Sequence, residues 1–163
     1  ARLPAVADLI ECRMQTSAVE CFKGVIKSGE VFDLSMCNPP FHASAEEAAA
    51  GSRRKRHHLG GKNATATVLN FGGKAGELWC HGGELAFVRR MIIQSSELPR
   101  LCRWFTTLVS KSAHLPRLLQ SLREVKAADV KIIQMAQGQK KSRILAWTFM
   151  GADEQRTLGR RTA

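Results

Sequence analysis

The sequence has no apolar run long enough to cross a membrane, and no signal peptide is recognisable at its start. No two of its five cysteines are spaced as CxxC, and their odd number argues against a disulfide framework or a zinc ribbon. No internal repeat is visible. These absences favour a cytoplasmic protein with reduced thiols, an expectation which assumes that nothing informative precedes Ala1.

Acidic residues are also scarce, with 14 Asp and Glu against 25 Lys and Arg. The resulting formal charge of +11 favours a nucleic-acid partner, because cations that neutralise phosphates release condensed counterions. The alternative is a protein that is merely basic. No metal is expected, since Cys80, His81, His57 and His58 match no standard ligand spacing.

The 163 residues, 44% of them hydrophobic, are enough for one domain with a core. Apolar periodicity predicts strands at 9–14, 31–37, 101–110, 130–135 and 144–149, and helices at 18–26, 84–95 and 115–126. This alternation is typical of an α/β sheet, and the short linker between the last two strands predicts an antiparallel hairpin at one edge. A basic, glycine-rich loop is expected at about 42–83, and a frayed polar tail at 151–163, after a domain that spans 1–150.

A stiff turn, Asn38-Pro39-Pro40-Phe41, follows the predicted strand 31–37 directly. Asn38 offers a side-chain carbonyl, Pro39 a backbone carbonyl, and Phe41 a flat face on which a base can stack. Two acceptors that take both hydrogens of an exocyclic amine can draw its nitrogen toward tetrahedral geometry for methylation. The turn therefore predicts a catalytic role for Asn38, Pro39 and Phe41, with Pro40 at the substrate. The alternative is an ordinary proline turn.

Several basic residues are candidate contacts to an RNA backbone: Arg53, Arg54, Lys55 and Arg56 in the long loop, and Lys140 in the terminal hairpin. A run of charges is as often a solvated face of a protein. Trp79, Trp104 and Trp147 are expected to be packing residues rather than stacking platforms.

At this point the chain resembles a known family, the bacterial 23S ribosomal RNA adenine-N6 methyltransferases of the RlmF type. The resemblance rests on residues 32–33, 37–42, 50–52, 69–73, 77–80, 82–88, 104–106, 108–111, 115–116, 135–140 and 146–149. It spans most of the chain, from about residue 9 to 156.

The resemblance implies a Rossmann-like class I methyltransferase fold, S-adenosylmethionine as cofactor and 23S ribosomal RNA as substrate. It also implies that Lys111, beside Ser110, lies at the substrate crevice, and that Gln15 and Cys37 contact the cofactor. Lys111 could equally be an ordinary solvated lysine.

The chain departs from the family pattern because it lacks the glycine-rich cofactor loop after the first strand and the acid that holds the ribose. It therefore resembles the C-terminal half of the family's domain. We expect the strand 31–37 to be an exposed edge, unless residues 9–14 pair with it, and the chain alone to be inactive.

Two other functions stay open. One is an RNA-binding fragment without catalysis, which the missing glycine loop favours. The other is methylation of a different planar amine or amide, in DNA adenine or protein glutamine, which the tetrapeptide alone permits.

Overall fold

The computed structural model describes residues 9–47, 79–137 and 140–159. Its helices and strands, in chain order, are β1 (Phe32–Cys37), α1 (Gly83–Glu97), β2 (Cys102–Val109), a 3₁₀ turn (Ser112–His114), α2 (Leu115–Glu124), β3 (Asp129–Gln137), β4 (Lys140–Thr148) and α3 (Ala152–Gly159). Each of the strands and helices predicted beyond residue 30 is present, with its ends shifted.

The four strands form one sheet in the order β1-β2-β4-β3. β1 is parallel to β2, whereas β4 is antiparallel to both β2 and β3. Three strands therefore share one direction and β4 alone is reversed. The predicted α/β sheet and its terminal antiparallel hairpin are confirmed.

The core lies on one face of this sheet. The rings of Phe105 and Trp147, which are register partners on β2 and β4, stack with centroids 5.9 Å apart. α1 and α2 cover them with buried apolar residues at helical spacing. Each such side chain contributes about 1.5–3 kcal/mol through burial. The residues that the two helices contribute are Val88, Met91, Ile92, Leu118 and Leu122.

The opposite face and the β1 edge are open among the described residues. Leu34 and Met36 pair in register with Trp104 and Thr106, so they point away from the face that carries Phe105. Leu34 is 51% exposed and Met36 is 85% exposed. Since β1 pairs only with β2 among the described strands, the expectation of an exposed edge is confirmed.

The strand and the helix predicted before residue 30 are wrong. Residues 9–14 form no strand and pair with no strand, and 18–26 form bends and turns instead of a helix. Gly24 has φ +90°, outside the helical region. The side-chain amide of Gln94 also holds the Cys21 N–H and the Val19 carbonyl, two groups that a helix would use.

The last segment is a second correction. Residues 152–159 form α3, where a frayed tail was expected. Gln155 donates to the Met150 carbonyl at 3.1 Å, and Arg100 pairs with Glu154 at 2.8 Å. These contacts to preceding residues order a stretch whose polarity alone predicted disorder. Residues 160–163 lie outside the description.

Candidate active site

The carboxyl ends of β1 and β2 lie side by side at one end of the sheet. The two strands are parallel, and Cys37 at the end of β1 pairs with Thr107. Asn38 follows β1 directly, and Ser110 and Lys111 follow β2. The structure thus brings Asn38 and Lys111 to the same edge, where α/β proteins bind ligands.

The proline turn has two buried residues between two exposed ones. Pro39 and Pro40 are buried, while Asn38 is exposed and Phe41 is 40% exposed. Two buried rings with fixed φ hold the turn, so the polar group of Asn38 and the ring of Phe41 are presented to a ligand at little entropic cost. This presentation is what the predicted catalytic roles require.

Cys37 lies half-buried beneath this turn. Burial raises the pKa of its thiol above the ordinary value, against a weaker opposing bond with Thr107. The thiol is therefore protonated at neutral pH and unsuited to nucleophilic chemistry. Its predicted contact to a cofactor stays a prediction.

The described segments on either side of residues 48–78 meet beside the proline turn. His42 and Trp79 form a β-bridge, and the Cys80 N–H donates to the His42 carbonyl at 3.1 Å. Arg53, Arg54 and Lys55 lie between these segments, outside the described residues. Their predicted contacts to RNA stay predictions.

Helix α1 begins in contact with the residues that follow the proline turn. Gly82 and Gly83 have φ of +77° and +62°, which side chains rarely tolerate. A Cβ on Gly83 would lie 3.3 Å from the Ala43 nitrogen. The glycine turn therefore lets the start of α1 pack against the segment that follows Phe41. Because backbone atoms of His42 and Ala43 lie against Gly83, this glycine turn is not an open cradle for a phosphate or a cofactor.

A buried carboxylate joins this helix start to the end of β2. Glu84 is only 1% exposed, and its Oε2 accepts the Ser110 N–H at 2.8 Å and the Ser110 hydroxyl. Its Oε1 accepts the Lys111 N–H at 3.3 Å and lies 2.8 Å from Nδ1 of His114. Burial by itself would raise the pKa of Glu84, but these bonds lower it below its ordinary value.

Sequence reasoning missed Glu84. An acid in the first turn of a helix is ordinarily explained by the helix dipole, so the residue predicts nothing by itself. The available signal was its place directly after two glycines and before an apolar run with helical period. That signal marks a helix start and carries no information about a partner 26 residues away.

Two further predicted residues are placed without being tested. Gln15 already uses its amide locally, since its Nε2 donates to the Lys23 carbonyl at 2.8 Å and its Oε1 accepts the Ser17 N–H at 2.9 Å. A contact to a cofactor would have to replace or share these bonds. Lys140 pairs with Gln137 at the start of β4, and its side chain lies outside the description.

The tryptophans vary in burial. Trp147 is fully buried and donates to Ser95 Oγ at 2.9 Å, as expected for a packing residue. Trp104 is half-buried on the open face, with Nζ of Lys131 4.6 Å from its ring centroid. Trp79 is half-buried at the bridge to His42.

Two features are not found in the parts of the chain that the structure describes. Over 9–47, 79–137 and 140–159, no group of three or more His, Cys, Asp or Glu side chains is arranged to hold a metal ion. No helix within these ranges has both the length and the apolarity to cross a membrane.

Comparison with known proteins gives a consistent picture. A family profile described as RNA methyltransferase matches residues 1–151. The Ribosomal RNA large subunit methyltransferase F of Photobacterium profundum is 47% identical, over 93% of this chain and 49% of its own length. The protein of the same name from Methylobacillus flagellatus is 49% identical, over 96% of this chain and 51% of its own. The chain spans about half the length of these curated relatives.

Solved structures agree on the fold. The human METTL16 catalytic domain in complex with MAT2A 3'UTR hairpin 1 has a TM-score of 0.59 and 29% identity, over 77% of this chain and 42% of that one. The complex with hairpin 6 has a TM-score of 0.57 and 32% identity, over 74% and 41%. The predicted class I methyltransferase fold is confirmed.

Proposed function

This chain belongs to the RNA methyltransferase family, and we propose that it forms the substrate side of an enzyme that methylates N6 of an adenine in 23S ribosomal RNA. One observation carries the proposal: buried Pro39 and Pro40 hold an exposed Asn38 at the carboxyl end of β1, beside an exposed Phe41. The relatives named for large-subunit ribosomal RNA support the choice of substrate.

The cofactor is S-adenosylmethionine, whose bound methyl sulfonium supplies the methyl group. A structure of the N-terminal domain of human METTL16 in complex with SAH, the demethylated product, has a TM-score of 0.50 and 25% identity to this chain. Cys37, at the end of β1, and Gln15 are our candidates for contacting the cofactor. The glycine turn at the start of α1 is not a candidate, because Ala43 packs against Gly83.

The chain's own residues would act by positioning. The side-chain carbonyl of Asn38 and the backbone carbonyl of Pro39 accept the two amine hydrogens of the adenine, which turns the nitrogen lone pair toward the methyl group. Phe41 stacks on the adenine ring. No strongly shifted base is needed, because the amine proton can leave after the methyl group has arrived.

Basic residues would hold the RNA backbone. Lys111 is exposed at the same edge of the sheet as Asn38. Arg53, Arg54, Lys55 and Lys140 extend this set in the proposal, and the net charge of +11 supports it. We place the enzyme in the cytoplasm, where bacterial ribosomal RNA resides.

The isolated 163-residue chain is proposed to be inactive. The family's glycine-rich cofactor loop does not occur in its sequence, and the chain matches about half of each curated relative. The second candidate function, an RNA-binding fragment without catalysis, rests on the same observation.

Two measurements test these proposals. The full-length gene product should transfer a labelled methyl group from S-adenosylmethionine to unmodified 23S ribosomal RNA, and nuclease digestion should recover the label as N6-methyladenosine. The isolated chain should neither turn over nor show a calorimetric titration with S-adenosylmethionine.

Label in another nucleoside, or none with the full-length product, would contradict the proposed reaction. Tight cofactor binding with turnover by the isolated chain would contradict its proposed inactivity.

A further inference from the structure

Glu84 is a buried acid that the proposed chemistry does not use. We propose that it is a positioning residue, which fixes the main chain of 110–114 so that Lys111 is held at the crevice beside Asn38. This inference rests on the proposed function for its catalytic consequence, but the contacts themselves are independent of it.

Four polar groups surround the two carboxylate oxygens of Glu84. Ser110 donates both its N–H and its hydroxyl, Lys111 donates its N–H, and His114 approaches with Nδ1 at 2.8 Å. Two of these donors are backbone groups, so the bonds fix the path of the main chain and not only the side chains. The Cα from which Lys111 extends is thereby set.

Glu84 also lies next to the segment that follows the proline turn, on the Asn38 side of the crevice. Gly83, its neighbour, packs against Ala43 and His42, directly after the proline turn. One helix start therefore contacts the segment that leaves β1 and the segment that leaves β2. Glu84 couples the exposed lysine to the turn that presents Asn38.

A carboxylate suits this place better than any neutral side chain. Ser110 and Lys111 donate to it, and Nδ1 of His114 donates in the tautomer that carries its proton, so an ionised carboxylate, which has only acceptors, matches these groups. Glutamine has the same shape, but its NH2 group would replace one carboxylate oxygen, face these donors and leave them without an acceptor. Glu84→Gln therefore tests the hydrogen bonds with a minimal change in volume.

Amide hydrogen exchange on the full-length gene product tests the hold directly. In Glu84→Gln the Ser110 amide, the Lys111 amide or both should exchange at least about tenfold faster, because glutamine keeps one acceptor oxygen where the carboxylate has two. The amides of α1 between Val88 and Ile92 should keep their protection. Glu97→Gln, on an exposed acid of the same helix, is the matched control and should change neither group.

Unchanged exchange at Ser110 and Lys111 would overturn the proposal. Equal acceleration throughout the domain would also overturn it, since Glu84 would then serve general stability rather than one segment.

Steady-state kinetics test the catalytic consequence. Glu84→Gln should lower kcat by about tenfold or more, with KM for S-adenosylmethionine nearly unchanged, since a misplaced segment at the crevice impairs alignment. Ser110→Ala, which removes only the hydroxyl bond, should lower kcat by less. A wild-type kcat in Glu84→Gln would refute the positioning role.

The two proposals can fail separately. If the wild-type protein and Glu97→Gln methylate no adenine, the proposed function has failed, and hydrogen exchange still decides whether Glu84 holds the segment. If both methylate normally and Glu84→Gln does as well, only the inference about Glu84 has failed.

Discussion

Asn38 combines exposure with a rigid support. Its side chain reaches solvent while the prolines behind it are buried, so it can be changed without disturbing packing. In the full-length protein, Asn38→Ala should lower methylation by roughly two orders of magnitude or more, because an amine acceptor is lost in the transition state. Its unfolding midpoint should stay within about 2 °C of wild type.

The matched control is Gln120→Ala, which removes an exposed amide on α2 that donates to Glu124. Near-normal methylation by Asn38→Ala would exclude this residue as the acceptor.

Ser95 and Ser96 allow one buried hydrogen bond to be isolated. Both hydroxyls donate back to a carbonyl three residues earlier, at 2.7 Å. Only Ser95 also accepts from Nε1 of Trp147, at 2.9 Å. Ser95→Ala should therefore lower the free energy of unfolding by about 1–3 kcal/mol more than Ser96→Ala, because it leaves a buried donor unsatisfied. Chemical denaturation of the two variants measures the difference, and equal losses would refute this account.

At the scale of whole elements, residues 9–31 are held by side-chain contacts instead of by a helix or a strand. Arg13 bonds Glu11, Glu30 and the Val25 carbonyl, and Phe22 packs edge-on against Phe105. The bonds from Arg13, helped at Glu11 by Lys27 and at Glu30 by the Lys27 N–H, lower the pKa of both acids to about 2.

This lowering predicts an acid-sensitive segment. Because the pKa of Glu30 is lower in the folded than in the unfolded chain, its carboxylate favours the folded form above its ordinary value of 4.5. That contribution is lost as the pH falls toward about 2. Glu30→Gln should reduce the pH dependence of amide protection in residues 9–31 over this window, and the Glu11 carboxylate should account for the dependence that remains.

Glu124→Gln, which removes an exposed acid bonded to the neutral Gln120, should leave that dependence intact. A wild-type Glu30 carboxyl that titrates near 4.5 by NMR would contradict the prediction.

The open edge of β1 predicts self-association of the isolated chain. The N–H and C=O groups on this edge pair with no other described strand, and together with exposed Leu34 and Met36 they can pair with a second copy. Leu34→Lys combined with Met36→Lys should shift the chain toward monomer in sedimentation velocity. Ile93→Lys, on an exposed apolar residue of α1, should not. A monomeric wild-type chain at high concentration would refute the prediction.

For the whole molecule, the charge of +11 predicts strongly salt-dependent RNA binding. In the full-length protein the logarithm of the affinity should fall linearly with the logarithm of salt concentration. If Arg53, Arg54, Lys55 and Arg56 all contact phosphates, changing them together to Gln should reduce the slope by about 3. Filter binding over a salt series measures both slopes.

The control removes the same charge from cations that already pair with acids of this chain. These are Lys23, Lys27, Arg100 and Arg156. Their combined change to Gln should reduce the slope by less. If the fourfold variant at 53–56 has an unchanged slope, these residues do not contact the RNA backbone and the RNA-binding surface lies elsewhere.

Much of the fold could be predicted beyond residue 30. Strands and helices there show clean apolar periodicity, and the short stretch between the predicted strands 130–135 and 144–149 favoured the hairpin that β3 and β4 form. Before residue 30 the same periodicity misled, because a strand needs a neighbour in the sheet and 9–14 has none among the described residues. The proline turn proposed as the catalytic site could be picked out from sequence because its four residues are contiguous.

The sequence by itself determined the family, the order of elements and the turn that carries Asn38, since each is encoded in residues close together along the chain. Only the tertiary structure decided that residues 9–14 form no strand, that Gln94 holds the Cys21 N–H 73 residues away, and that Glu84 joins the helix start to the end of β2. A local pattern specifies how a segment can fold, whereas the partner of a buried polar group depends on which distant segments the packed core brings against it.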